Sequence, residues 1–460
     1  MDLIKNNLYI NKTWLMKKSK LLYFILLLIL IVSCTQEITN PPEIPAEIIS
    51  SPPTSDFDAT YPVEWMGLMY DIVVLEVIPA PICSRLYGYC GIAIYEAVYN
   101  GIPNHRSLGG QLNDMPTMPT PENKVYDWPS VLAATIKIVS SNILYEPQQI
   151  SLDMINSLYN DQIEQRKNEL DTIIVNRSIA FGEQIGSKII GWSNSDRFLE
   201  TRNWSYTPPS RENHPEYWEP TAPGEEALEP YLGMQRPFCM LTQNQCAVPL
   251  GIDFDTIPGT PFYQEGYEVL DKSRNLTIDE KNIAFFWEDK LGTGRPPGHW
   301  VSVTNSMAIR FSLKLDDAAK LYALVGATIR DAFISAWEAK YRVNLLRPKT
   351  YIRDFLGEPD WHELVSTPPF PEYPSGHSVG SGAVSKILTL WFGDNIAFTD
   401  STHNNVPGLR NRNFSSFYDA ANEAAWSRLY GGIHFRSAIL NGIQQGTSVA
   451  DVILNTIHFE

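Results

Sequence analysis

Apolar residues recur at helical spacing along most of the chain and almost nowhere alternate. From Trp65 to about Asn100 the pattern, typified by "SRLYGYCGIAIYEAVYNG", predicts helix, and two or three more helical stretches follow between about 129 and 195, including "RSIAFGEQIGSKIIGW". Helical patterning resumes near 277 and runs almost to the end, with breaks at 291–298, 344–376 and 396–413. No convincing strand pattern with hairpin turns interrupts it. The sequence therefore predicts an all-α protein with two helical, four-helix-bundle-like halves, 61–195 and 277–460. Between them, residues 196–276 are dominated by Pro, Gly, Trp and Tyr, as in "NWSYTPPSRENHPEYWEPTAPG", and read as a long, ordered, aromatic-pinned excursion.

The N-terminus departs from this pattern. "MKKSKLLYFILLLILIVSC" runs from Met16 to Cys34 as a basic start, an apolar run and then Ile31-Val32-Ser33-Cys34. A small residue before a cysteine that closes an apolar stretch resembles a bacterial lipoprotein signal, and the run is short for a membrane span. Residues 1–34 are read as that signal, Cys34 as the lipidated first mature residue, and 35–60, rich in Pro, Ser and Thr, as a flexible tether. The expectation is an exported lipoprotein, anchored to the membrane in the periplasm or at the cell surface. Export permits disulfides among Cys83, Cys90, Cys239 and Cys246; pairing across segments, or none, stays open.

Composition narrows the partners. Apolar content of 44% with 12% aromatics is that of a globular chain, and a net charge of -16 argues against a nucleic-acid partner. A local cluster of cations stands out against that acidic background.

Three segments supply such a cluster. In "SAWEAKYRVNLLRP", Lys340 and Arg347 lie about two helical turns apart, so both can project from one face with Trp337 beside them. In "FPEYPSGHS" (370–378), Ser375 and Gly376 stand where a helix begins, and free N–H groups there attract an oxyanion. In "WSRLYGGIHF", the spacing of Arg428 and His434 would put them on different faces of one helix. Gly431-Gly432 removes the objection, because the pair can end one helix and let His434 open the next. Taken singly, these are solvated cations, an N-cap serine and a structural histidine. Together, three cations, neutral donors and two imidazoles (His377 and His434) suit phosphate or vanadate.

Lys340-x6-Arg347-Pro348, Pro374-Ser375-Gly376-His377 and Ser427-Arg428-x5-His434 resemble, in order and spacing, the three-part signature of the type 2 phosphatidic acid phosphatase and vanadium haloperoxidase superfamily. The motifs cover about residues 337–440; "FFWEDKLGTGRPPGHW" (285–300) and the first helical stretch are also similar to longer vanadium haloperoxidase-like proteins. The resemblance implies an all-α fold with the anion site between helices of the C-terminal bundle. Lys340, Arg347, Ser375, Gly376 and Arg428 would hold the anion's equatorial oxygens. With vanadate as cofactor, His434 would be the axial vanadium ligand. His377 would then transfer protons while hydrogen peroxide oxidises a halide. In an acid phosphatase acting on a phosphoester, His434 would be the nucleophile and His377 the acid for the leaving alcohol. A third reading is a non-catalytic surface lipoprotein that uses the excursion to bind a partner.

One position departs from the phosphatase pattern. That pattern continues His-x3-Asp, with the carboxylate orienting the histidine, and here Ala438 stands in its place. The expectation is that His434 lacks a carboxylate partner, with a backbone carbonyl as substitute. Trp337 and Phe370 match aromatic positions of family members with chloride activity and would wall the site. Asp289, or its neighbour Glu288, is the candidate partner for His377, and His299 is placed near the cleft or in a structural role. "WHELV" lacks the second histidine of a zinc protease helix, and no nucleophile elbow, P-loop or dinucleotide glycine pattern is present.

Overall fold

The computed structural model describes residues 50–460. The lipoprotein signal, the Cys34 lipidation site and most of the tether lie outside the described residues. Among those described, the protein is all-α apart from one small strand pair, and no helix is long and apolar enough to cross a membrane.

Five helices build the N-terminal half: α1 (Thr60–Glu76), α2 (Ala80–Val98), α3 (Trp128–Ile143), α4 (Gln149–Glu169) and α5 (Thr172–Ser193). Local chemistry sets their ends. Asp127 caps α3 by accepting from the Ser130 N–H, with Pro129 in the first turn. The chain enters this half already packed: the Ser51 hydroxyl accepts from the Tyr126 N–H, and the Trp128 indole donates to the Pro52 carbonyl.

The C-terminal half contains α6 (Pro261–Arg274), α7 (Ile278–Phe286), α8 (Arg295–Arg310), α9 (Leu315–Val343) and α10 (Pro348–Phe355). It continues with α11 (Gly376–Phe392), α12 (Phe417–Tyr430) and α13 (Arg436–Thr456). A capping box between Thr277 and Glu280 starts α7. Within the break near 396–413, β1 (Phe398–Asp400) pairs antiparallel with β2 (Arg412–Phe414), Phe398 facing Phe414.

One hydrophobic cluster runs through both halves, and the most extensive helix contact is α2 against α9. Glycines permit that approach. A Cβ on Gly91 would lie 2.2 Å from the Tyr322 carbonyl oxygen, and one on Gly326 would lie 2.9 Å from that of Tyr87. The two halves therefore share a core, and α9 is its axis.

The excursion is tied along this axis. Asp331 on α9 accepts the backbone N–H groups of Phe238, Cys239 and Met240 at 2.6, 2.8 and 3.0 Å. Further toward the C-terminal end of α9, Trp218 donates its N–H to the Asn344 carbonyl, and Leu228 donates to Pro369. Helix α6 then leads the chain into the C-terminal bundle. Cys83, Cys90, Cys239 and Cys246 are buried free thiols, so no disulfide braces the fold among the described residues.

Candidate active site

The C-terminal end of α9 delivers Trp337 and Lys340, after which Asn344 takes a left-handed conformation (φ 53°) and ends the helix. Arg347 follows as the residue before α10, where Pro348 occupies the first helical position. Ser375 caps α11, accepting from the Ser378 N–H, and its own N–H is anchored on the Ala438 carbonyl at 3.1 Å. Gly376 and His377 open α11, so their N–H groups have no acceptor within the helix. Arg428 lies in the last turn of α12. Gly431 caps that helix, Gly432 turns the chain at φ 79°, and His434 stands two residues before α13.

These residues converge on one buried site. The Arg347 guanidinium donates to the Phe370 and Ile433 carbonyls, each at 2.9 Å, and approaches His434 Nε2 at 3.3 Å. Its remaining Nη2 is buried with no partner among the described residues. Arg428 donates to Ser427 and to the Trp287 carbonyl. Lys340 sits differently from the expected direct ligand. Its Nζ donates to the carbonyls of Pro371, Glu372 and Pro374 at 3.0, 3.0 and 2.6 Å. All three ammonium donors are thus engaged in bracing the segment ahead of Ser375, and Lys340 reaches the site as a charge from behind.

Burial makes this arrangement costly without an anion. It pushes Arg347 and Arg428 each down to about 10 and Lys340 well below its ordinary range, with Arg347 adding to the pressure on Lys340. Glu372 offsets part of this for Arg347 and Lys340, and Asp289 does so for Arg428. The unpartnered Arg347 donor, the open helix N-terminus and three buried cations fit orthovanadate or orthophosphate.

His434 has a carboxylate partner, and the expectation drawn from Ala438 is overturned. Its Nδ1 lies 2.8 Å from Glu372 Oε1, and that oxygen also accepts the Phe435 N–H at 2.9 Å. The partner comes from the segment preceding Ser375 rather than from the next turn after His434. Ala438 is itself fully buried in a packed cluster. Burial holds the His434 ring well below its ordinary pKa, and Arg347, Lys340 and Arg428 add to the effect. The neutral tautomer carrying its proton on Nδ1 follows from the carboxylate partner, leaving the Nε2 lone pair on the side of the cations. Burial raises Glu372 to about 8, against the pull of Arg347, the Phe435 N–H and Lys340.

His377 faces Asp289. Its Nε2 is 3.6 Å from Asp289 Oδ2, just beyond hydrogen-bond length, and neither atom has another hydrogen-bond partner among the described residues. Glu288 turns away toward Lys290 at 3.7 Å. Burial, then the Arg428 charge, lowers His377 to about 4. Behind it stands a buried network. Asp289 Oδ1 accepts from His299 Nδ1 at 2.8 Å and from His403 Nε2 at 3.1 Å, while His299 Nε2 meets Asp400 Oδ2 at 2.7 Å. Burial alone would discharge His299, but Asp289 and Asp400 outweigh it and raise the ring to about 10. His299 is thus an imidazolium clamped between two carboxylates, stacked on Trp287 with ring centroids 4.2 Å apart.

Gly376, His377, Arg428 and His434 form part of the lining of a cavity of about 570 Å³. Trp337 and Phe370 wall it, their rings 5.0 Å apart, and Phe370 also lies 4.9 Å from both the Lys340 ammonium and the Arg347 guanidinium.

Sequence reasoning missed Glu372, His403 and Asp400. Glu372 stood in plain view inside "FPEYPSGHS", where a glutamate surrounded by prolines and aromatics was the available signal. His403 and Asp400 lie around the short β1 strand and carry no motif.

A family model described as the VCPO second helical-bundle domain matches residues 320–459. Vanadium chloroperoxidase of Curvularia inaequalis is 22% identical over 479 residues, covering 81% of this chain and 77% of that protein. The crystal structure of a bacterial holo-type vanadium-dependent chloroperoxidase shares the fold, with TM-score 0.61, 16% identity, and coverage of 83% of this chain and 92% of that one. The crystal structure of the first bacterial vanadium-dependent iodoperoxidase superposes with TM-score 0.81 and 31% identity, covering 88% of this chain and 97% of that one. With that identity over nearly the full length of the relative, the chain belongs to the vanadium haloperoxidase family.

Proposed function

We propose that the protein is a vanadate-dependent haloperoxidase in which halide, hydrogen peroxide and a proton yield a hypohalous acid and water. The observation that carries this reading is the aromatic wall over the anion cradle. Trp337 and Phe370 present apolar faces where a desolvated halide would approach, directly beside Arg347 and Lys340. The 31% identity to a bacterial iodoperoxidase makes iodide the first halide to test.

When bound, vanadate supplies a Lewis acid that polarises peroxide without needing to change oxidation state. Arg347, Arg428, the Ser375 hydroxyl and the Gly376 N–H would hold its oxygens, with Lys340 balancing their charge. His434 Nε2 would be the protein ligand, oriented by Glu372. Asp289 faces His377 Nε2, so the other ring nitrogen, Nδ1, is the one left to hold or release a proton at the site.

A second reading, an acid phosphatase, draws support from the Glu372–His434 pair, which restores the orienting carboxylate a nucleophilic histidine needs. One experiment separates the two. The chelator-treated protein is loaded with orthovanadate and assayed for peroxide-dependent iodide, bromide and chloride oxidation, then assayed without vanadate for phosphomonoester hydrolysis. No halide oxidation together with vanadate-inhibited phosphatase activity would overturn the haloperoxidase reading. The sequence further supports export and lipid anchoring at Cys34; a Cys34→Ser chain that stays in the membrane fraction would refute it.

A further inference from the structure

The cavity that contains the anion cradle is far larger than the anion and its small substrates require. Its volume is about 570 Å³, whereas a water-sized species occupies only about 30 Å³. Leu228, Phe333, Trp337, Val365, Pro369 and Phe370 contribute apolar wall surface, and the floor includes His377 and His434. Apolar walls with a few convergent polar groups are the makeup of a pocket for an organic molecule.

The excursion completes this enclosure. The Leu228 N–H donates to the Pro369 carbonyl at 2.9 Å, and its own carbonyl accepts from the Trp337 indole at 3.2 Å and the Tyr341 hydroxyl at 2.9 Å. Leu228 is therefore fastened by its backbone across the cavity wall. The same bond engages the Trp337 N–H, so that ring offers the cavity its apolar surface. Charges in the lining balance: Glu288 faces Lys290 at 3.7 Å, while Glu225 and Arg295, and Asp289 and Arg428, add charges of each sign in equal number. Arg295 is directed onto the Val77 and Ile78 carbonyls.

We propose that this cavity binds an uncharged, electron-rich arene, such as a phenol, and that halogen is transferred to it there rather than after release of the hypohalous acid. The proposal rests on the haloperoxidase reading. The carbon–halogen bond forms as the halogen–oxygen bond breaks, and the ring proton leaves with the hydroxyl group as water. The halogen gains the two electrons that the ring carbon loses. Stacking against Trp337 or Phe370 would hold the ring within reach of the floor.

The test uses protein whose cradle is filled with orthovanadate, or with orthophosphate as a control, without peroxide. Binding of p-cresol and of the anionic p-hydroxybenzoate is measured by calorimetry. We expect p-cresol to bind at least about tenfold more tightly, because a buried carboxylate would meet no free cation. Leu228→Trp, filling the cavity from its wall, should weaken p-cresol about tenfold. Leu291→Trp, at the exposed mouth, gives a second variant should the first misfold. Both should retain iodide oxidation, read as triiodide, within about twofold.

With peroxide and iodide added, the ratio of iodinated p-cresol to iodinated p-hydroxybenzoate should exceed the ratio produced by reagent hypoiodite. Identical ratios, or iodide oxidation without p-cresol binding, would overturn the acceptor site alone. Binding of p-cresol without iodide oxidation would overturn the haloperoxidase reading and the transfer step, leaving a binding cavity.

Discussion

Glu372 Oε1 lies 2.8 Å from His434 Nδ1 and 2.9 Å from the Phe435 nitrogen, so one carboxylate oxygen fixes both the ring and the backbone that carries it. The backbone of Glu372 is held in turn: its carbonyl accepts from Lys340, and its N–H donates to the Leu345 carbonyl. The cation placed behind the cradle therefore also positions the carboxylate that orients the histidine on the cradle's other side.

Replacing that carboxylate tests the relationship. Glu372→Gln keeps the shape but replaces the acid with an amide that cannot take up the Nδ1 proton, and we expect orthovanadate affinity to fall about 10–100-fold. Vanadate titration followed by vanadium NMR would measure it. A variant that bound vanadate as tightly as the parent would show that His434 needs no carboxylate.

Arg347 is the cation whose geometry matters most. Arg347→Lys preserves charge but cannot reach the Phe370 and Ile433 carbonyls together while also presenting a free donor to the anion. Loss of one charge-assisted hydrogen bond, worth about 1.5–3 kcal/mol, predicts roughly 10–100-fold weaker vanadate binding. Equal affinity in the lysine variant would reduce Arg347 to a point charge.

Much of this site was legible in the chain. The Lys340-x6-Arg347, Pro374-Ser375-Gly376-His377 and Arg428-x5-His434 spacings are set by local helix geometry and by the Gly431-Gly432 break, so residue order alone carries them. Glu372 was not legible as a partner, because its contact with His434 depends on how the segment before α11 lies against the start of α13. The use of Lys340 on three carbonyls was equally hidden, since spacing reports which face a side chain leaves from and not what it meets. The β1–β2 pair eluded periodicity for a simpler reason: three residues are too few to display alternation.

His377 should govern part of the acid limb of stability. Its pKa falls from an ordinary 6.5 to about 4 in the fold, chiefly through burial and then Arg428. A depressed histidine contributes stability that is full above pH 6.5 and is lost as pH falls through about 4. The anion-free protein should show a falling melting temperature over that window, and His377→Gln should make the fall shallower. An unchanged slope would mean that His377 titrates normally in the fold.

His299 should act in the opposite direction. Asp289 and Asp400 overcome burial and raise it from 6.5 to about 10, so its stabilisation is full below pH 6.5 and is lost as pH rises through about 10. His299→Gln leaves two buried carboxylates without their cation. Removing one member of such a buried charged set costs about 3–5 kcal/mol. We expect a lower melting temperature at pH 7 and a flatter alkaline limb than in the parent. The same substitution frees Asp289 to move relative to His377, which lies 3.6 Å away. Proton transfer by His377 should then weaken more than anion binding does, giving a fall in kcat for iodide oxidation with vanadate affinity nearly kept. A variant that lost stability with its kcat intact would confine His299 to holding the fold, whereas a loss in both kcat and the alkaline limb would join the buried imidazolium to the chemistry at the cradle.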